Sequence, residues 1–108
     1  MADDRRAPSA PSAVTVNHQP AARRFEALVD GLLSVLDYRL LPMAAGGTLM
    51  VTTHTGVPSA LGGRGIAAQL VVAALDHARA QGWRVRPDCS YVEAWMRRHP
   101  ESQDLLAG

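Results

Sequence analysis

A chain of 108 residues, 47% hydrophobic and 19% charged, has enough length for one core and too little for two. Its formal charge of +1, with no run of more than two arginines, excludes the strong field expected of a nucleic-acid binder, and no apolar run approaches bilayer length. One cysteine, Cys89, cannot build an internal disulfide framework, and with four scattered histidines it offers no metal-ligand spacing. The expectation is a disordered tail over residues 1–12 and one compact domain over 13–108. That domain is expected to be cytoplasmic and a monomer or weak dimer, without metal, nucleic-acid or membrane partners. All 11 basic residues are arginine, so any lysine the protein modifies belongs to another molecule.

In chain order, Val14 to Asn17 is β-branched and alternating, which predicts a short strand ended by Pro20. Arg24 to Asp30 alternates with period two, placing Phe25, Ala27 and Val29 on one face. A tight turn at Asp30-Gly31 leads into a third strand, Leu32 to Leu41, which Pro42 stops. Thr48 to Thr55 is the strongest strand signal in the chain, dense in β-branched residues. Four strands joined by short loops predict an antiparallel meander.

The period then changes. Ile66, Leu70, Val71, Ala74, Leu75 and Ala78 are spaced by threes and fours, which predicts an amphipathic helix of about four turns, with Gly82 as its C-terminal cap. Trp83 to Arg86 reads as a fifth strand closing a strand-helix-strand unit. Ser90 with Glu93 three residues on reads as a capping box that starts a second helix, and His99-Pro100 ends it. His18 is expected in a loop and His77 on exposed helix surface, while Trp83 and Trp95 read as core anchors. Leu105-Leu106 either docks on the sheet edge or stays free. The fold class is α/β (α+β): a mostly antiparallel sheet of about five strands, one strand-helix-strand unit and a C-terminal helix.

Between the strongest strand and the longest helix lies Val57 to Ala67, containing Gly62, Gly63 and Gly65. Unpaired N–H groups at a helix start, the helix dipole and close backbone approach at glycine together suit a phosphate; a plain flexible connection is the alternative. With no lysine the turn is not a P-loop, and it lacks the dinucleotide fingerprint. Cys89 precedes the second helix, with Arg84 and Arg86 upstream, and both features favour thiolate; a small buried core residue is the alternative.

The run Gly62-Gly63-Arg64-Gly65-Ile66-Ala67 resembles the pyrophosphate loop of the GNAT N-acetyltransferase superfamily, written Gln/Arg-x-x-Gly-x-Gly/Ala, with Gly62 standing where glutamine or arginine is usual. His54 to Pro58, Pro87 to Val92 and Arg98 to Glu101 resemble further blocks of its short single-domain branch, in the right order. The resemblance spans about Val14 to Leu106. It implies a GNAT-like sheet splayed between the fourth and fifth strands, with acetyl-CoA (coenzyme A) in the gap and an amine acceptor. The N–H groups of Gly63, Arg64, Gly65, Ile66 and Ala67 would hold the diphosphate, with a charge-assisted contact from Arg64. Thr55, Gly56 and Val57 would face the pantetheine arm and supply an oxyanion donor.

Candidate catalytic groups follow from that placement. Cys89 would be acetylated or protonate the departing sulfur; His54 would take the amine proton, or be structural; Tyr91 would be an acid, or a packing residue. Gly56 stands where this branch often carries an acid, so a direct base there is missing. The leading expectation is an N-acetyltransferase acting by direct attack. A CoA-binding module with little turnover and a cofactor-free adaptor are the competing classes.

Overall fold

The computed structural model describes residues 14–107, and the expected tail over 1–12 lies outside them. Five strands form one sheet in sequential order: β1 Asn17–Gln19, β2 Arg24–Val29, β3 Leu32–Pro42, β4 Thr48–Gly56 and β5 Arg84–Pro87. The first four are antiparallel neighbours, and β5 joins β4 in parallel after the crossover helix α1, Ile66–Gln81. A second helix, α2, covers Ser90–Arg97, followed by a 3-10 turn at Pro100–Leu105. The fold class is therefore the expected one.

Local chemistry accounts for most boundaries. Asp30 and Gly31 both take positive φ (53° and 75°), the two-residue hairpin geometry whose twist matches the flanking strands. Gly82, at φ 75°, ends α1 by directing its own N–H to Arg79 and that of Trp83 to Ala78, which satisfies carbonyls the helix leaves open. The stripe Ile66, Leu70, Val71, Ala74, Leu75 and Ala78 is buried throughout, against Phe25, Leu36, Tyr38 and Met50 of the sheet. Truncating Leu70 to alanine in such packing costs about 2–5 kcal/mol.

Several expectations shift. The first strand begins at Asn17, not Val14, because its partners are Glu26, Phe25 and Arg24, and a 3-10 turn at Pro20–Ala22 with Arg23 at φ 53° returns the chain directly into β2. The Val14 N–H instead donates to Gln69 Oε1 of α1 (2.8 Å). His18 lies within β1, stacked on Phe25 at 4.1 Å and 2.6 Å from the Tyr38 hydroxyl. His77 is half-buried between His18 and Trp83, so neither histidine has the exposed loop or helix-surface setting anticipated. Burial, reinforced by His77 and Arg23, holds the His18 pKa below the usual value.

The capping box does not form. Ser90 is the first helical residue, and Glu93 pairs with Arg97 at 2.8 Å. The cap position belongs to Cys89, whose N–H is already taken by the Thr52 carbonyl (2.8 Å); the helix thus starts one residue earlier than a Ser90 cap would require, and Glu93 is no longer three residues beyond the cap. At the other end, His99 stacks on Trp95 (3.7 Å), with Nδ1 2.6 Å from the Trp95 carbonyl. Leu105 is buried and Leu106 bridges Val85 in parallel, so the C-terminal leucines dock on the free edge of β5.

Candidate functional site

β4 is regular as far as Thr52, and then a bulge intervenes. Tyr38 pairs with Thr52 but Asp37 pairs with His54, leaving Thr53 as the extra residue, its hydroxyl donating to the Asp37 carbonyl at 3.3 Å. One inserted residue inverts the facing of everything beyond it. Thr55 is opposite buried Leu36 and so faces α1, whereas His54 and Gly56 are opposite Asp37 and Val35 on the other, open face.

At the same level β4 and β5 part. Their ladder ends at Thr52–Pro87, while β4 continues to Gly56. Across the opening, Thr55 Oγ1 lies 3.4 Å from Cys89 Sγ. Burial pushes the Cys89 thiol up, but the Thr55 hydroxyl and the N–H groups of Val92, Tyr91 and Thr55 outweigh it, and the pKa is lowered overall. The upstream arginines are otherwise engaged: Arg86 pairs with Asp88 (3.0 Å), and Arg84 donates to the Asp104 carbonyl (2.6 Å). Thiolate at Cys89 is therefore favoured by local donors and not by those cations.

After Gly56 the chain makes a 3-10 turn at Ser59–Leu61, pinned by buried Leu61. Gly62 closes it, and a Cβ there would stand 3.2 Å from the Ser59 carbonyl, so the turn itself resists a side chain at this position. Gly63 (φ 80°) and Gly65 (φ 75°) are left-handed, conformations open to glycine at little cost. Helix α1 then begins with no side-chain cap and no acid in its first turn, and the Gln69 N–H returns to Gly65 (3.2 Å). The preceding helical N–H groups have no carbonyl one turn back to receive them. They border a cavity of about 290 Å³ lined by Val57, Leu61, the three glycines, Ile66, Ala67 and half-exposed Tyr91.

The residues singled out from sequence thus fall into three groups. Val57, Gly62, Gly63, Gly65, Ile66, Ala67 and Tyr91 share the cavity; Thr55 and Cys89 meet at the strand opening; His54 and Gly56 lie on the open face. Arg64 stands apart. Its guanidinium pairs with Asp30 at 2.9 Å and lines a separate cavity of about 340 Å³ with Leu28 and Val29. Backbone donors and an anion fit this loop well, since the donor set is uncapped N–H groups in a left-handed glycine turn.

Sequence reasoning missed the bulge, the Thr55–Cys89 contact and the pairing of His54 with Asp37, all set by strand register. On β2 and β3, Arg24 clasps Asp37 at 2.6 Å and stands 4.0 Å from Glu26. Among the described residues, no cluster of three or more His, Cys, Asp or Glu side chains forms a metal site, and no helix is long and apolar enough to cross a membrane.

Comparison with known proteins places this geometry in context. Residues 24–105 match the family described as GCN5-related N-acetyl-transferase. Protein NATD1 of Bos taurus is 32% identical over 101 residues, covering 92% of this chain and 86% of its own. The Homo sapiens NATD1 is 31% identical, over 85% of this chain and 80% of its own. The solution structure of a GCN5-like protein from Staphylococcus aureus superposes with a TM-score of 0.68 at 24% identity, covering 88% of this chain and 89% of that one, a likeness of fold. A ribosomal-protein-alanine N-acetyltransferase from Brucella melitensis gives 0.56 at 25% identity, over 79% of this chain and 62% of its own.

Proposed function

Because the chain belongs to the GCN5-related N-acetyltransferase family, we propose that it binds acetyl-CoA and passes the acetyl group to an amine by direct attack. One observation carries this reading: a left-handed glycine turn feeds an uncapped helix start beside the point where β4 and β5 part. Bound acetyl-CoA would supply an activated thioester carbonyl and a thiol leaving group. The N–H groups from Gly63 to Ala67 would hold the diphosphate, and the backbone of Thr55, Gly56 and Val57 would receive the pantetheine arm and the carbonyl oxygen. In the transfer the amine nitrogen forms the new C–N bond, the C–S bond breaks, and its electron pair leaves on sulfur. The amine gives up one proton to His54, and the sulfur gains one from Cys89 or Tyr91.

A second reading, cofactor binding without turnover, is favoured by the missing side chain at Gly56. Thermal unfolding with CoA and amine-dependent release of free CoA separate the two. A ligand at 100 times its Kd stabilises by about 2.7 kcal/mol, so CoA should raise the Tm clearly. Release of CoA that grows with amine concentration supports transfer; a raised Tm with no release over a broad amine panel leaves the binding module, and no change in Tm overturns both.

A further inference from the structure

Gly56 is a glycine without a conformational reason to be one. Gly31, Gly46, Gly47, Gly63, Gly65 and Gly82 take positive φ, whereas Gly56 does not, and it lies in a strand, where glycine forfeits side-chain packing. The reason is space. A Cβ on Gly56 would come within 3.0 Å of His54 Nε2 and 3.7 Å of both its Cε1 and Val35 Cγ2. The imidazole is folded along β4 into the volume where a side chain at position 56 would begin. The Thr53 bulge puts both residues on the same open face, and Asp37, held by Arg24, is the cross-strand partner of His54, with Glu26 beyond on β2.

We propose that Gly56 is a positioning residue for His54: by having no side chain it seats the imidazole at the end of β4, where Nε2 takes the proton of the attacking amine. This rests on the acetyl-transfer reading. The balance is that of the transfer itself, with the amine proton ending on Nε2 as the C–N bond forms and the C–S bond breaks. The missing acid at position 56 is then replaced in function by the ring that fills its place, which a Cβ at position 56 would push aside.

A double-mutant cycle tests the coupling, because two changes acting through one group are non-additive. Acetyl transfer to n-butylamine is measured against pH for wild type, Gly56→Ala, His54→Gln and the double variant, alongside the CoA-induced Tm shift. Loss of a general base costs roughly 100-fold or more in turnover, so His54→Gln should lose that much together with the acid limb of the pH profile. Gly56→Ala should lose about tenfold by displacing the ring, and the double variant should be no worse than His54→Gln. The CoA-induced Tm shift should persist in His54→Gln, whose side chain lies outside the pantetheine-binding backbone. Multiplicative losses, or a wild-type pH profile in Gly56→Ala, overturn the proposal. The His54 ring NMR signals give a readout independent of turnover: with CoA present they should move on adding n-butylamine in wild type but not in Gly56→Ala. Signals indifferent to the amine in wild type overturn the proposal, whereas a wild type whose Tm ignores CoA overturns the acetyl-CoA reading on which it stands.

Discussion

Two chain segments leave the carboxyl ends of neighbouring strands, and they are built differently. The segment after β4 is glycine-rich, left-handed at Gly63 and Gly65, and presents backbone N–H groups with hardly any polar side chain. The segment after β5 is short and presents one thiol, Cys89, against Thr55 and the first N–H groups of α2. Holding an anion needs many fixed donors at close approach, which the backbone supplies without side-chain entropy. Proton or acyl chemistry needs a titratable atom, which only a side chain supplies. On the acetyl-transfer reading proposed above, the two tasks are divided between the two junctions.

The largest effect that can break this division is on the first junction. Gly65→Val puts a β-branched residue at φ 75°, costing about 1–2 kcal/mol and crowding the donors, so CoA affinity measured by calorimetry should fall at least about tenfold. Unchanged affinity would mean that the cradle lies elsewhere. Cys89→Ala should leave that affinity within about twofold, because no backbone donor of the loop is touched. A loss as large as that of Gly65→Val would merge the two junctions into one site.

A moderate effect sharpens the second junction. The Cys89 thiol is held below its ordinary pKa, so at a given pH below that value more of it is thiolate. Thr55→Val removes one donor to the sulfur, the pKa should rise, and the midpoint of iodoacetamide alkylation against pH should move to higher pH. A midpoint that stays or moves down would show that Thr55 does not stabilise the thiolate. The smallest effect is expected at Arg64. Because its guanidinium is spent on Asp30 and lines the other cavity, Arg64→Ala should change CoA affinity by less than about threefold, an exposed pair being worth little. A loss approaching that of Gly65→Val would show the side chain turning inward when CoA binds.

What the sequence by itself determined is what depends on neighbours in the chain. The apolar stripe from Ile66 to Ala78, the Gly82 cap, the Asp30-Gly31 turn and the glycine turn before α1 all follow from local periodicity and backbone freedom, and their positions could be read directly. Tertiary structure decided what depends on register. Thr52, Thr53 and Thr55 are equally good strand formers, so nothing local marks Thr53 as the extra residue; the pairing with Tyr38 and Asp37 does, and it turns His54 toward Gly56 on the open face. Thr55 meets Cys89, and Arg64 meets Asp30, across 34 residues in each case, because the sheet brings them together. Local propensity places a residue in an element, but only the pairing of elements chooses its face and its partner.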